Sequence, residues 1–282
     1  MGQQLEQHES NNEKRGEFIA VCSAKGGIGR TLLSVNLAVA LCKKNIRIGV
    51  MDGDFQFGDV SLAMDLQSTF TIKDVIQELE RLDEYTLASY LSHHESGVRI
   101  LAAPEKPEFA DLVTERTLEK IIPLLLKQHE YVIADTGVGL QDKGLHILEK
   151  ADQILIVTNL EMATLKNTKS MLDTLDMLGL REKVRLVVNR ATMESVIQAT
   201  DVADILGEEE PIFIPNDFQI ASQSLNIGIP FVMNHGKTEI AKSIFKMAEQ
   251  ISSRREISII KTKGPSLLTK LFTRKRLKEE VE

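Results

Sequence analysis

The run Phe18-Ile-Ala-Val-Cys-Ser-Ala-Lys25-Gly-Gly-Ile-Gly-Arg-Thr31-Leu-Leu-Ser-Val-Asn-Leu-Ala38 decides the fold. A short apolar run, Phe18 to Cys22, enters a turn containing Gly26, Gly27 and Gly29, and the chain leaves as a helical segment that begins near Arg30. The three glycines permit backbone conformations that a side chain would forbid, so successive N–H groups can converge on an anion. The start of the helix adds its dipole to the same point, worth ~0.3–1 kcal/mol for an anion. Thr31 supplies a hydroxyl of the kind that ligates Mg²⁺. Strand, glycine turn and helix in this register read as a nucleotide-phosphate site, and the competing reading is a tight strand-to-helix connection with no ligand.

Working outward, short β-rich runs alternate with longer helical ones from Glu17 onward. Strands are expected at 18–22, 46–51, 98–101, 131–135, 153–158, 184–189 and 211–214, and helices at 31–43, 72–80, 114–128, 165–178, 194–206 and 237–252. Runs such as Ile154 to Val157 are apolar throughout, as strands covered on both faces must be. The expected fold class is therefore α/β, a mostly parallel twisted sheet with helices on both faces. Ligands in such sheets bind beyond the carboxyl ends of the strands, where the glycine turn falls. Residues 17–251 are expected to form one domain, after a polar, disordered tail at 1–16 and before a basic tail at 252–282.

A chain of 282 residues that is 43% hydrophobic and 27% charged has the material for a core and is not composed like a disordered protein. No window approaches the ~18 consecutive apolar residues of a spanning helix, and the N-terminal segment lacks the apolar stretch of a signal peptide, so the protein is expected in the cytoplasm. Gly2 follows Met1, but Glu6 stands where a myristoylation signal needs Ser or Thr. Cys22 and Cys42 each lie in an apolar run, without metal-ligand spacing, and read as buried free thiols. The six histidines are scattered, and neither a zinc site nor a nucleophile triad is visible.

The turn Lys25-Gly26-Gly27-Ile28-Gly29-Arg30-Thr31 resembles the deviant Walker A loop, KGGxGK[ST], of the P-loop ATPases that include MinD, ParA and FlhG. The resemblance implies ATP and Mg²⁺ as ligands, with Gly26, Gly27, Ile28, Gly29, Arg30, Thr31 and Leu32 around the phosphates. It implies that Lys25 reaches across a homodimer, formed on ATP binding, to the partner's nucleotide. Arg30 departs from the pattern, standing where the family has its ordinary phosphate-binding lysine. A guanidinium is planar and spreads its charge, so it can hold phosphate without setting a point charge between the β and γ groups. Two acidic loops also match, Met51 to Asp59 and Tyr131 to Gly139. By resemblance, Asp54 positions the attacking water, while Asp52 and Asp135 join Thr31 in organising Mg²⁺. The catalytic set is then Lys25, Asp54 and Asp135. The segment Val188-Asn189-Arg190 and the later Pro215-Asn216-Asp217 match the family's contacts to the base.

Between the motifs, residues 54–66, 103–114 and 163–180 look like the CpaE/TadZ pilus-assembly branch. That likeness implies a spatial regulator or scaffold with pilus or secretion machinery as its partner, and weak or absent hydrolysis because of Arg30. Alternatives are a membrane-associated cycling ATPase of the FlhG or MinD type, to which the Asp135-Thr136-Gly137-Val138-Gly139 loop is close, and a ParA-like DNA partition ATPase. The net charge of −7 argues against a nucleic-acid partner.

The charge is uneven. Residues 252–282 carry nine Lys and Arg against four Glu. On a helix, Leu267, Leu268, Leu271 and Phe272 share one face, with Lys270, Arg274 and Arg276 outside it. This resembles the short C-terminal amphipathic helix with which MinD holds an anionic membrane surface, and it implies peripheral attachment to the inner membrane. A solvated basic tail is the competing reading, because Lys275 falls near the centre of the apolar face.

Overall fold

The computed structural model describes residues 15–42, 46–207 and 210–262. In chain order these form β1 Glu17–Ser23, α1 Arg30–Cys42, β2 Ile48–Gly53, α2 Val60–Ala63, α3 Ile72–Gln77, α4 Glu84–Tyr90, β3 Ser92–His93 and β4 Arg99–Leu101. They continue as α5 Glu115–Gln128, β5 Tyr131–Val138, α6 Asp142–Lys150, β6 Gln153–Thr158, α7 Met162–Met177, β7 Val184–Val188, α8 Asp201–Leu206, β8 Ile212–Phe213, α9 Phe218–Ile227, α10 Phe231–Asn234 and α11 Glu239–Thr262. The eight strands lie in one sheet in the order β3-β4-β2-β5-β1-β6-β7-β8. Every neighbouring pair is parallel except β3 with β4.

Side chains alternate across this sheet and feed two cores. Phe18, Ala20 and Cys22 of β1 join Val132 and Ala134 of β5 on the face covered by α3 to α8. Ile19 and Val21 join Tyr131 and Ile133 on the face covered by α1, α2, α10 and α11. The central strands are apolar throughout because both faces are covered.

Every residue of α1 from Leu32 to Leu41 is buried, since this helix lies between the sheet and α11. Its buried Asn36 is fully used: the Asn36 amide donates to the Leu32 carbonyl at 2.8 Å, and its oxygen accepts from the Val232 N–H at 3.0 Å, tying α1 to α10. Along α11, Ile240, Ile244, Met247 and Ile251 recur at helical spacing and are buried against the same core. Each such side chain stabilises the fold by ~1.5–3 kcal/mol.

The structure bears out the fold class and corrects several elements. The helix expected over 194–206 forms only as α8. Ahead of it, the Ser195 hydroxyl donates to the Leu160 carbonyl at 3.0 Å and accepts from the Ile197 N–H at 3.2 Å, while the Asp201 carboxylate accepts from the Gln198 N–H at 3.0 Å. These side-chain bonds compete with helical ones. The strand expected over 46–51 lies two residues later, which carries Asp52 into β2. Helices α2, α4, α6, α9 and α10 and the antiparallel β3 were not expected. The helix expected over 237–252 is α11, which runs on to Thr262. The tail residues Leu267, Leu268, Leu271 and Phe272 lie outside the described residues.

Candidate functional site

The turn between β1 and α1 is held from its carbonyl side. The Lys25 carbonyl accepts from the Ser23 hydroxyl at 2.9 Å, the Gly27 carbonyl from the Arg190 guanidinium at 3.3 Å, and the Ile28 carbonyl from the Asn189 amide at 2.7 Å. In a trans peptide the N–H points opposite to its own carbonyl, so these three bonds turn the N–H groups of Gly26, Ile28 and Gly29 the other way. Among the described residues, no N–H from Gly26 to Thr31 donates to a protein acceptor. A row of N–H groups that find no protein acceptor and border one cavity is an anion cradle.

Gly29 has φ +92°, and a Cβ there would lie 2.5 Å from the Asn189 amide nitrogen, so both the turn and the side chain that braces it require glycine. Arg190 itself has φ +54°, rare for a residue with a side chain, and its N–H donates to the Asn189 side-chain oxygen at 2.9 Å.

The cradle opens into a cavity of about 380 Å³, within the range of small-molecule sites. Lys25 to Leu32 line it, and so do Asn189, Arg190, Pro215, Asn216 and Asp217, although the latter two groups come from chain segments far apart in sequence. Asn216 is fixed by its N–H to the Thr192 hydroxyl at 2.9 Å. The Asp217 carboxylate caps α9 by accepting from the Ile220 N–H at 3.0 Å. Phe218, Ala221 and Leu225, at helical spacing on α9, give the cavity an apolar wall that the sequence reading missed. The missed signal was Asp217 ahead of this pattern and Gly228 closing it with φ +68°.

Beyond β2 and β5 three carboxyl groups gather, and one guanidinium meets two of them. Register sets Asp52 opposite Asp135 on neighbouring strands. Asp135 accepts from the Thr31 hydroxyl at 2.6 Å and the Ser34 hydroxyl at 2.9 Å, two donors one helical turn apart on α1. Asp52 accepts from the N–H of Asp54 at 3.2 Å and of Val60 at 3.1 Å. A side chain at Gly58 would collide with this carboxylate, so glycine lets the loop close over it.

Arg30, with a side chain only 11% exposed, folds back into this group. Its Nη2 lies 3.2 Å from Asp54 Oδ2, its Nε 3.4 Å from Asp135 Oδ1, and its Nη1 donates to the Ser23 hydroxyl at 3.2 Å. The Nε hydrogen is buried and makes no hydrogen bond. Burial, and then Asp135, push the Asp52 carboxyl well above the ordinary carboxylate range. Burial also raises Asp135, while Arg30 and the Thr31 and Ser34 hydroxyls pull it down.

Three carboxyl groups against one guanidinium, two of them pushed towards the protonated form by burial, suit a divalent cation beside the anion cradle that would hold them ionised. Among the described residues, no three His, Cys, Asp or Glu side chains form a metal cage. The donor set fits Mg²⁺, which binds through one or two protein oxygens and retains water and phosphate ligands.

Lys25 is held apart from the carboxylates. Its ammonium lies 3.4 Å from Glu161 Oε2, and both side chains are nearly half exposed. Glu161, just before α7, was not expected at the site, and nothing in its local sequence marks it. Half-exposed ion pairs of this kind are weak in water, so the lysine is free to leave.

The family model AAA_31, an AAA domain, matches residues 16–188, which span β1 to the end of β7. The septum site-determining protein MinD of Thermotoga maritima is 24% identical over 244 residues, covering 84% of this chain and 88% of that protein. The crystal structure of a ParA family ATPase from Chlorobium tepidum superposes with a TM-score of 0.78 at 22% identity, covering 83% of this chain and 98% of its own. MinD from Pyrococcus horikoshii, complexed with Mg-ADP, gives a TM-score of 0.75 at 24% identity, covering 86% of this chain and 98% of its own. With the family model spanning the phosphate turn and both acidic strand ends, the chain belongs to the MinD/ParA family of P-loop ATPases.

Proposed function

We propose that this protein is an ATP-operated molecular switch of the MinD type, which dimerises around bound Mg-ATP and hydrolyses it slowly. The observation that carries the reading is the row of unpaired N–H groups from Gly26 to Thr31 facing a cavity with an apolar wall at its far side. Phosphates suit the first and a purine base the second, between Asn189, Arg190 and the loop from Pro215 to Asp217. Thr31 would hold Mg²⁺ directly, with Asp52 and Asp135 acting through water, and the ion would neutralise charge on the β- and γ-phosphates. Support for this ligand pair comes from the Pyrococcus horikoshii relative, complexed with Mg-ADP.

Arg30 sets the pace in this reading. While its guanidinium holds Asp54, that carboxylate has one oxygen committed to an ion pair and the other to the Phe57 N–H at 3.2 Å. The Asp54 carboxylate is therefore not free to orient a water. Bound phosphate attracts Arg30 towards the cradle and releases Asp54. Lys25, leaving Glu161, serves the nucleotide of the second subunit. Equilibrium binding of a fluorescent ATP analogue with Mg²⁺ tests the reading: wild type binds and Gly29→Ala does not. Equal binding by both would overturn it.

The Thermotoga maritima relative is a septum site-determining protein, which supports a role in site determination over a pilus role. The CpaE/TadZ reading rests on the wording of residues 54–66, 103–114 and 163–180 alone. No helix among the described residues is long and apolar enough to cross a membrane. A peripheral membrane contact through Leu267, Leu268, Leu271 and Phe272 is part of the proposal. Liposome sedimentation should be lost in the double variant Leu268→Glu, Phe272→Glu, and unchanged sedimentation would remove that part.

A further inference from the structure

A larger cavity, of about 730 Å³, lies at the opposite end of the sheet from the phosphate turn, and the nucleotide reading does not use it. It opens where strands begin. Arg47 and Ile48 stand at the entry to β2, Arg99 is the first residue of β4, and His129 precedes β5, while α4 and the end of α5 complete the wall. Its volume lies within the ~300–1,000 Å³ of small-molecule sites.

The strand register aligns basic groups along this rim. Arg99 pairs with His93 of β3 on one side and with Gly49 of β2 on the other. A Cβ at Gly49 would lie 3.2 Å from the His129 ring, so glycine is what allows the imidazole to pack against the strand. His129 is buried, and its Nδ1 lies 2.9 Å from the Leu125 carbonyl. A carbonyl only accepts, so Nδ1 carries the proton and Nε2 is unprotonated in the neutral ring.

Lys127 completes the set. Only one lining carboxylate, Glu84, opposes Arg47, Arg99, Lys127 and the two imidazoles. Arg47 is engaged by Glu130 at 3.0 Å, whereas Arg99 and Lys127 have no carboxylate partner among the described residues. Burial lowers the pKa of both histidines; Arg99 lowers His93 further, and at His129 Arg47 and Arg99 also lower it, while the Leu125 carbonyl and Glu130 pull the other way. An anion would relieve this uncompensated positive charge.

We propose that this cavity binds a small phosphate-bearing solute, with Arg99 and Lys127 on the phosphate and His93 and His129 beside it. The planar guanidinium of Arg99 suits two phosphate oxygens, and the exposed Tyr85 at the rim offers a ring face to the rest of the molecule. The site is separate from the nucleotide cavity, so either assignment can fail without the other.

The test uses the full chain and inorganic pyrophosphate without Mg²⁺, following the assigned imidazole resonances of His93 and His129 by NMR. Both resonances should move saturably and both pKa values should rise. Arg99→Gln and Lys127→Gln, checked for unchanged melting temperature, should each raise the apparent Kd about tenfold. Gly29→Ala, which breaks the anion cradle, should leave the response intact, which separates it from binding at the phosphate turn. Absence of saturation, an undiminished response in Arg99→Gln, or an equal shift from sodium chloride at matched ionic strength would overturn the proposal. A response to an acidic peptide or to anionic vesicles but not to pyrophosphate would overturn it as well.

Discussion

Arg30 and Asp54 stand 24 residues apart in sequence and 3.2 Å apart in the structure, the guanidinium of the phosphate turn bound to the carboxylate of the first acidic loop. Their ion pair is mostly shielded from water, and removing one partner of such a pair leaves a buried charge behind. The residue that replaces the family's lysine thereby occupies the carboxylate that the family resemblance assigns to hydrolysis.

Gly29→Ala tests the phosphate turn. The new methyl group would meet the Asn189 amide at 2.5 Å with the backbone at φ +92°. Strain of ~1–2 kcal/mol is expected, together with loss of the Asn189 bond to the Ile28 carbonyl. Thermal unfolding should shift down by a few degrees and nucleotide affinity should fall by more than about tenfold. Wild-type affinity in this variant would mean that the cradle is not the binding element.

Lys25→Ala separates stability from assembly. The Lys25 and Glu161 side chains are 44% and 47% exposed, so their ion pair contributes at most ~1 kcal/mol. Melting temperature should be nearly unchanged while ATP-dependent dimerisation, read by light scattering, is lost. Normal dimerisation would remove the role assigned to Lys25 across the interface.

Most of this site is legible in the sequence because a phosphate turn is local: glycines, lysine and threonine sit within seven residues and need only a strand before and a helix after. Asp52 and Asp135 are readable for the same reason, each following an apolar run within its strand. What escapes is contact at a distance. Nothing near Glu161 shows that it meets Lys25, and nothing near Ser34 shows that its hydroxyl joins Thr31 on Asp135. The departure at Arg30 was visible, but its attachment to Asp54 depends on how β1 and β2 flank β5. α9 was overlooked because Pro215-Asn216-Asp217 read as a loop when Asp217 was also a helix cap.

The Asp52 carboxyl should leave a mark on the pH dependence of stability. Its folded pKa is raised above the ordinary 3.8, so the folded state holds a proton that the unfolded state has released. Stability from this group is present below 3.8 and falls as pH rises through the folded value. Comparing urea unfolding of wild type and Asp52→Asn across that range, wild type should lose stability relative to the variant as pH increases. Parallel curves would contradict the burial of an ionisable group at this position.

The most direct test of the switch is phosphate release under single-turnover Mg-ATP conditions, with oligomer mass followed in the same sample, for wild type and Arg30→Lys. The account predicts that both dimerise with ATP and that Arg30→Lys releases phosphate about tenfold faster or more, because lysine leaves Asp54 free. Equal release from the two proteins, with equal dimerisation, would contradict it.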